Sequence, residues 1–590
     1  MKKILLFAIT LSLLVAVCAL SASAANISSA ADLVALINDT SKWNGDYTLT
    51  ADVDISGKTL GQIGTYEKPF SGTFDGNGHT VTVSVLVSEC GGLFGVIENA
   101  TVKNLTVKGR VECTFAAENA ETKLESGYSG TGAVVGVVHT GSTVENCTSY
   151  AEVLGPCNVG GVIGLINNVG EATVTVTNCV NYGVADSTYG NLGGVIGRIR
   201  TETEAYPALT VKDCANYANL TYKSEDRARF AGVAAYIRSN KGFILIENCR
   251  NEGNLEGVNA ATASGNFPHM GGILGRCEMI AQNSGMHVIG CYNSGMISST
   301  KYVAGIVAYI SRDDACIDYS TTIKDCVNVG ALSGGTYAGG ILAYSNNSCM
   351  ADTRCEIVNC LNTAPVVAEG SAGGILGRQT GCDIKGTVNL GAVSATNCGG
   401  LVGKADGQVF CEIANSFYSD VNGMATGLPT PFCMDSGSKA FAMANVTASA
   451  TFAGLDFADA WTMGKLCPVP KSMSAQNIVI PTENAPVVTP PAPETTAPAE
   501  TAAAPETTAP AETGDVTGTA APETTAAPET EETKAPETEA TKATEATTAT
   551  KPTPPPVEEG ANVGLIVGIV IGVLVVAAVV VVIIIKKKKA

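Results

Sequence analysis

Residues 174–198 read VTVTNCVNYGVADSTYGNLGGVIGR, and variants of this stretch recur through the middle of the chain. Its first half returns as LTVKDCANYANL from Leu209, ILIENCRNEGNLEG from Ile244, TTIKDCVNVGALSG from Thr321 and CEIVNCLNTAPVVA from Cys355. Its second half returns as a small-residue pair with aliphatic residues: GGVIG from Gly193, GGILG from Gly271, GGILAY from Gly339 and GGILG from Gly373. Repeats of this length are typical of solenoids, in which each repeat is one stacked unit.

A cysteine marks each repeat, and successive cysteines are separated by 32, 35, 35, 42, 35 and 34 residues. These residues are Cys147, Cys179, Cys214, Cys249, Cys291, Cys326 and Cys360. Each interval predicts one coil of a parallel β-helix, built from three short strands. The pattern predicts nine or ten coils, stacked at the usual spacing of about 4.8 Å between strands.

Two recurring residues predict ladders inside this all-β solenoid. Asparagine follows the repeat cysteine by two positions at Asn181, Asn216, Asn251, Asn293, Asn328, Asn362 and, after Thr387, at Asn389. Stacked asparagines can satisfy one another's hydrogen bonds from coil to coil. The repeat cysteines occupy equivalent positions, where side chains point the same way, so we expect buried free thiols and no disulfides.

Composition fits a solenoid of tight turns, with 65 glycines, 6% aromatic and 15% charged residues. The formal net charge of −19 argues against nucleic acid, because affinity for phosphates comes from lysine and arginine. The net charge is therefore compatible with a neutral ligand or with a partner suited to an acidic surface.

Both ends of the chain predict membrane targeting. Residues 1–24 resemble a signal peptide, with two lysines, an apolar run and Ala22-Ser23-Ala24. Residues 481–561 are rich in Pro, Thr, Ala and Glu and predict a disordered stalk. Residues 562–585 predict one transmembrane helix, and the Lys-rich residues 586–590 a cytoplasmic tail. The ectodomain is therefore expected outside the cell, held by a single-pass helix.

The ectodomain divides into residues 25–110, with a cap and the first coils, and residues 111–480, with the repeats and a C-terminal cap. ISSAADLVALINDTSKW from Ile27 predicts a short N-terminal helix, with Ser28 or Ser29 as its cap and Leu33, Leu36 and Ile37 on one face. Solenoids need such caps because their end coils would otherwise expose an apolar cross-section.

Three stretches resemble bacterial surface proteins built from GLUG-motif repeats, which occur in adhesins and around some immunoglobulin A-cleaving metalloproteases. FSGTFDGNGHTVTV spans residues 70–83, GGLFGVIENATVKNLTVKG spans residues 91–109, and AGLDFADAW at 453–461 resembles a terminal coil. The resemblance implies a right-handed parallel β-helix on a bacterial surface. It implies no activity.

The chain offers no catalytic motif. Its four histidines are not in H-E-x-x-H, and G-x-S-x-G and C-x-x-C are absent, so no catalytic residue, metal ligand or cofactor is predicted. The best acidic cluster is Asp313, Asp314 and Asp318 with Arg312. Three cysteines outside the repeat series, Cys316, Cys349 and Cys355, are candidates for pairing in loops.

The sequence thus predicts a non-enzymatic, membrane-anchored cell-surface protein for adhesion, or for binding a carbohydrate or protein ligand outside the cell. A polysaccharide-active enzyme, lyase or glycosidase, and a passive spacer are the alternatives. Binding residues are not identifiable from the sequence. Ligand contacts are expected in the irregular insertions, chiefly 223–229, 257–269 and 311–320, with 346–354 as the fourth insertion.

Overall fold

The computed structural model describes residues 24–480, except 59–60, 116–128, 224–228, 258–267, 282, 313–319, 348–354, 408 and 477. The predicted stalk, transmembrane helix and cytoplasmic tail lie outside the described residues, as does the signal peptide up to residue 23. Within the described part of the chain, no helix is long and apolar enough to cross a membrane.

One complete coil runs from Thr321 to Asn347 and contains five short strands, whereas the sequence indicated three. They are, in order, Thr321–Lys324, Val327–Asn328, Leu332–Gly334, Tyr337–Gly339 and Leu342–Asn347. Equivalent strands of successive coils pair in parallel, as Val327 does with Leu361. The stacked strands form five parallel layers, which we number sheets 1 to 5 in the order of this coil.

The extra strands arise because the chain turns more often than its hydrophobic pattern shows. The residue before the repeat cysteine has a left-handed backbone, with φ of 51° at Asn178 and 53° at Asp213. Asparagine and aspartate adopt this conformation more readily than other non-glycine residues. This turn separates sheet 1 from sheet 2.

Sheet 1 stacks fourteen strands, so the solenoid has more coils than the nine or ten predicted. The additional coils lie at the two ends of the solenoid, where the cysteine repeat is absent. At the usual spacing between strands, the stack is about 60 Å high. Its strands are Ala25–Ile27, Tyr47–Leu49, Thr73–Asp75, Thr101–Lys103, Thr143–Glu145, Val174–Thr177, Leu209–Lys212, the end of Ala234–Glu247, Ser284–Ile289, Thr321–Lys324, Cys355–Val358, Cys382–Lys385, Cys411–Ala414 and Cys433–Asp435.

Sheets 2 and 3 follow the left-handed turn. Sheet 2 contains Val53–Asp54, Thr80–Val87, Thr106–Cys113, Thr148–Ser149, Glu152–Gly155, Val180–Asn181, Ala185–Ser187, Ala215–Asn216, Arg250–Asn251, Tyr292–Asn293, Val327–Asn328, Leu361–Asn362, Val388–Asn389, Phe417–Ser419 and Lys439–Phe441. Sheet 3 contains Leu220–Tyr222, Leu255–Gly257, Ile297–Ser298, Leu332–Gly334, Val366–Ala368 and Val393–Ser394.

Sheets 4 and 5 flank the small-residue corner of each coil. Sheet 4 contains Thr131–Gly132, Val159–Gly160, Asn191–Gly193, Arg229–Ala231, His269–Gly271, Tyr302–Ala304, Tyr337–Gly339, Ser371–Gly373 and Asn397–Gly399. Sheet 5 contains Phe94–Ile97, Val135–Val138, Ile163–Asn168, Ile196–Glu202, the start of Ala234–Glu247, Leu274–Met279, Val307–Arg312, Leu342–Asn347, Leu376–Thr380, Val402–Ala405 and Thr426–Leu428.

The predicted N-terminal helix is confirmed as Ala30–Asn38. Ser29 is its N-cap, and its side chain accepts a hydrogen bond from the Asp32 backbone N–H at 3.3 Å. Leu33, Leu36 and Ile37 are buried and join the main core. One short 3₁₀ helix follows at Thr40–Lys42.

Both ladders are confirmed. Each asparagine side chain donates to the next one along the stack, at 3.1 Å from Asn181 to Asn216 and at 2.8–2.9 Å in the five bonds from there to Asn389. The seven repeat cysteines are buried free thiols. Burial raises the pKa of the Cys214 and Cys249 thiols well above the ordinary value, so they stay protonated.

The C-terminal segment turns back instead of adding a terminal coil at 453–461. Trp461, Phe452 and Met473 pack on the outer face of sheet 2, against a row of apolar side chains that includes Val327 and Phe417. The segment contains the antiparallel pair Trp461–Met463 and Pro468–Pro470, and the 3₁₀ helices Met443–Asn445, Ser449–Phe452 and Lys471–Met473, while Asp420–Asn422 precedes it. We call residues 441–480 the C-terminal strap.

Candidate binding face

The insertions expected to bind a ligand fall mainly outside the described residues, as do Asp313, Asp314, Asp318, Cys316 and Cys349. Arg229, Gly257, His269 and Ser311 at their described ends lie in strands, whereas Lys223 and Ser320 lie just outside strands. Arg312 is buried and donates to the Thr321 hydroxyl at 2.7 Å. The expectation that Cys355 lies in a loop is wrong: it starts a strand of sheet 1, and its sulfur is 3.2 Å from that of Cys382.

Sheets 4 and 5 meet at a sharp corner that only small residues allow. A Cβ atom added to Gly193 would lie 1.9 Å from the Ile196 carbonyl oxygen, and one added to Gly197 would lie 2.5 Å from the Asn158 backbone. The two strands of a coil therefore fold close together. Their outward side chains form a second, smaller layer beside the main core.

This outer layer is aliphatic in the first coils and becomes aromatic and cationic further along. Val96, Val137 and Leu165 form a small apolar cluster with Cys90. In the next coil Arg198 takes the position of Leu165, with which it is paired in register. From Arg198 onward the layer has a different chemistry.

Three rows of side chains make up what we call the aromatic–arginine face. The sheet 5 row is Arg198, Tyr236, Arg276, Tyr309, Tyr344, Arg378 and Lys404, in register from coil to coil. The facing sheet 4 row is Asn191, Arg229, His269, Tyr302 and Tyr337. The outer row, two residues beyond the sheet 5 row, is Arg200, Arg238, Glu278, Ser311, Asn346, Thr380 and Asp406.

Guanidinium groups lie over tyrosine rings along this face. The Arg229 guanidinium carbon is 4.0 Å from the Tyr236 ring centroid, and that of Arg378 is 4.5 Å from Tyr344. Arg276 is 4.7 Å from the Tyr309 ring. Such cation–π contacts hold both partners in a fixed orientation, which favours a preformed surface.

Aromatic rings also stack between neighbouring coils. Tyr302 and Tyr337 are stacked, with centroids 5.1 Å apart and an angle of 19° between the rings. His269 contacts Tyr302 and Tyr309 edge-on, at 4.8 and 4.9 Å. Burial, with Arg276 and Arg229 nearby, holds the His269 pKa well below its ordinary value, so this imidazole is neutral at neutral pH.

The two carboxylates of the three rows are held by cations and hydroxyls. Glu278 accepts hydrogen bonds from Arg276 and from the Tyr236 hydroxyl, both at 2.6 Å. Burial acts to raise the Glu278 pKa, but these partners outweigh it and leave the pKa lowered. Burial raises the pKa of Tyr236 to about 12, so its hydroxyl remains a donor.

Asp406 lies at the other end of the outer row and is bound by Arg378 at 2.8 Å and Lys404 at 3.1 Å. Its pKa is lowered as well: partial burial acts to raise it, but the hydrogen bonds from Lys404 and the Gly407 N–H prevail. Four coil intervals separate Asp406 from Glu278, about 19 Å at the usual strand spacing.

The three rows carry seven cationic side chains and two carboxylates, although the whole chain has a net charge of −19. Arg238 is half-buried and has no hydrogen bond or ion pair with any residue that the structure describes. The inner rows are largely buried, whereas the outer row reaches solvent, with Asn346 exposed and Arg200 retaining 23% of its side-chain accessibility. Among the partly exposed side chains, five cations, Arg200, Arg238, Arg276, Arg378 and Lys404, outnumber the carboxylates Glu278 and Asp406 of the rows and Glu202, which binds Arg200 at 2.7 Å.

Sequence reasoning missed this face, although the repeat contains its signal. The residue that closes the small-residue motif reads Arg, Tyr, Arg, Tyr, Tyr, Arg and Lys in GGVIGR, AGVAAY, GGILGR, AGIVAY, GGILAY, GGILGR and GGLVGK. Aligning that one column across the coils would have shown that it contains only tyrosine and basic residues.

No family model matches the chain, so its resemblance to GLUG-repeat proteins stays a prediction. Halomucin from Haloquadratum walsbyi is 31% identical over 153 residues, which are 23% of this chain and 2% of halomucin. A crystallised protein from Bacteroides ovatus, named as a candidate immunoglobulin A1 protease, matches 77% of this chain and 93% of its own, at 14% identity and a TM-score of 0.29. The β-helix assignment rests on the strand pairing and not on this likeness.

Proposed function

We propose that this chain is a cell-surface protein whose right-handed β-helix binds an extracellular carbohydrate along the aromatic–arginine face. The observation that carries the proposal is the face itself: three in-register rows of tyrosine, arginine and amide or hydroxyl side chains. Carbohydrate sites combine apolar ring surfaces with a few oriented polar groups. The predicted signal peptide, stalk and transmembrane helix would display this face outside the cell.

The spacing of the rows suits a linear polymer better than a compact ligand. Neighbouring coils repeat equivalent positions about every 4.8 Å, so a ligand that lies along the solenoid axis meets one member of each row at each step. Tyr309, Tyr344 and Asn346 illustrate one such step, because the Asn346 side chain joins the two tyrosine hydroxyls at 3.1 and 3.2 Å.

Binding is favoured over glycan cleavage by the state of the carboxylates. Glycosidases place two carboxyl groups roughly 5–10 Å apart and raise the pKa of the acid. Glu278 and Asp406 are further apart than this, and both have a lowered pKa. The alternative of a polysaccharide-active enzyme has no comparable support within the described residues.

Binding of polysaccharides to the full-length chain in detergent, measured on an array of neutral and acidic glycans, tests the proposal. We expect at least one polysaccharide to bind without release of oligosaccharide. Tyr337→Ala should weaken it up to about tenfold, because it removes a stacked ring and the partner of Arg378.

The matched control is Tyr150→Ala, which removes an exposed tyrosine from a different stack, with Tyr182 on sheet 2. This variant should bind like the unmodified chain. Equal loss in both variants, or no binding by any glycan, would contradict the proposal, and released oligosaccharide would support the enzyme instead.

A further inference from the structure

We infer that the ligand of the aromatic–arginine face is an acidic polysaccharide, whose carboxylate or sulfate groups are recognised by arginines of the outer and sheet 5 rows. This inference rests on the proposed function and specifies the class of carbohydrate. It begins from the excess of cations on the face of an acidic chain.

The charges are distributed in two groups and not as a continuous strip. Arg200 and Arg238 lie in two adjacent coils at one end, with Arg198 buried in the coil of Arg200. Arg378 and Lys404 lie in two adjacent coils at the other end, where both bind Asp406. Of the three coils between them, one carries the Arg276–Glu278 ion pair, and the other two present the neutral side chains of Ser311 and Asn346. The two groups are separated by about 20 Å at the usual strand spacing.

Arg238 is the side chain that most directly indicates an anionic ligand. A guanidinium presents its donors in a planar fork that matches a carboxylate or sulfate. Glu278, its neighbour in the next coil, is already bound by Arg276 and Tyr236. Within the described residues, the Arg238 donors therefore remain available for an acidic group of the ligand.

Sparse anionic groups on a sugar chain fit this pattern better than nucleic acid does. Duplex DNA carries one charge about every 1.7 Å and depends on continuous neutralisation of phosphates. Here two of the three middle coils carry uncharged polar side chains and tyrosines, the third carries the Arg276–Glu278 ion pair, and the chain as a whole is acidic. The acidic groups of a polysaccharide are separated by whole sugar units, so they lie further apart than the phosphates of DNA.

The decisive measurement compares ligands that share a backbone but differ in charge. Oligogalacturonate and its fully methyl-esterified form provide one pair, and chondroitin sulfate and desulfated chondroitin provide another. We expect the full-length chain to bind the more highly charged member of at least one pair at least tenfold more tightly, and to lose that preference at high salt. The pair that shows the preference distinguishes a carboxylate from a sulfate as the recognised group.

The variant Arg200→Gln/Arg238→Gln should lower affinity for the more highly charged member of the preferred pair at least tenfold and change affinity for the less charged member little. Arg110→Gln is the matched control, because Arg110 also pairs with a glutamate two residues on but lies on sheet 2. Its affinities should be unchanged. Circular dichroism and Trp461 fluorescence verify that each variant is folded.

Three results would overturn the inference in different ways. Equal binding of both members of every pair would leave a carbohydrate-binding protein without charge recognition, so the proposed function would survive. Binding of no carbohydrate would remove the proposed function and the inference together. Binding of a DNA oligonucleotide as tight as that of the acidic glycan would show unspecific polyanion binding.

Discussion

At the scale of single residues, the same residue type recurs at an equivalent position of successive coils and makes the same hydrogen bonds there. The asparagine two residues after the repeat cysteine satisfies a buried turn and links neighbouring coils. Asn293 donates to the Gly295 carbonyl at 3.0 Å and to Asn328 at 2.8 Å, and accepts from Asn251 at 2.8 Å. Because Asn293 is fully buried, an unpaired group here is costly.

Replacing Asn293 with alanine should therefore destabilise the fold by about 1–3 kcal/mol, the usual cost of leaving buried partners unsatisfied. Denaturant unfolding followed by circular dichroism measures the change. Asn44→Ala, at an exposed position between the first two strands of sheet 1, should have little effect. An unchanged unfolding midpoint for Asn293→Ala would show that the ladder contributes nothing to stability.

At the scale of strands and corners, the small-residue pair decides how sheets 4 and 5 meet. The second glycine of each pair lies against both the asparagine ladder and the next coil. A Cβ atom on Gly272 would lie 2.1 Å from the Gly305 carbonyl oxygen and 2.7 Å from the Asn293 side chain. This corner also brings the rows of the aromatic–arginine face together.

Gly272→Ala should destabilise the chain by about 1–3 kcal/mol, as overpacking of a tight interior commonly does. Gly57→Ala is the matched control, because a Cβ atom there meets nothing within 4 Å, and its effect should stay within about 0.5 kcal/mol. Thermal unfolding compares them. Similar melting temperatures for the two variants would contradict the close approach at the corner.

At the scale of the whole described solenoid, stability is expected to be local along the stack. Each coil contacts mainly its neighbours, so damage in one coil should affect nearby coils most. The chain has two tryptophans, Trp43 beside the N-terminal helix and Trp461 in the C-terminal strap, and both are buried. They report on well-separated parts of the solenoid.

Two single-tryptophan chains, Trp43→Phe and Trp461→Phe, allow each part to be followed by fluorescence. Asn389→Ala, near the end of the asparagine ladder, should lower the unfolding midpoint reported by Trp461 more than that reported by Trp43. The two single-tryptophan chains that keep Asn389 supply the reference unfolding midpoints. Equal shifts at both reporters would mean that the solenoid unfolds as one cooperative unit.

Much of the fold was determined by the sequence alone, because its repeat records interactions between equivalent residues. Stacked coils place the same residue type at the same position. The asparagine series from Asn181 to Asn389 and the cysteine series from Cys147 to Cys360 therefore recur once per coil along the chain. The N-terminal helix was also readable, since its cap and apolar face are local. The number of strands per coil was not, because left-handed turns such as that at Asn178 interrupt no hydrophobic pattern.

Only the tertiary structure determined the aromatic–arginine face and the C-terminal strap. Residues such as Arg198, Tyr236 and Arg276 are about one repeat apart in the chain, and they differ in type, so neither proximity nor identity links them. Stacking at one register brings them side by side, and the small-residue corner adds the facing row. In the strap, Trp461 packs against coils that lie about a hundred residues earlier in the sequence. No local sequence pattern predicts such a long-range contact.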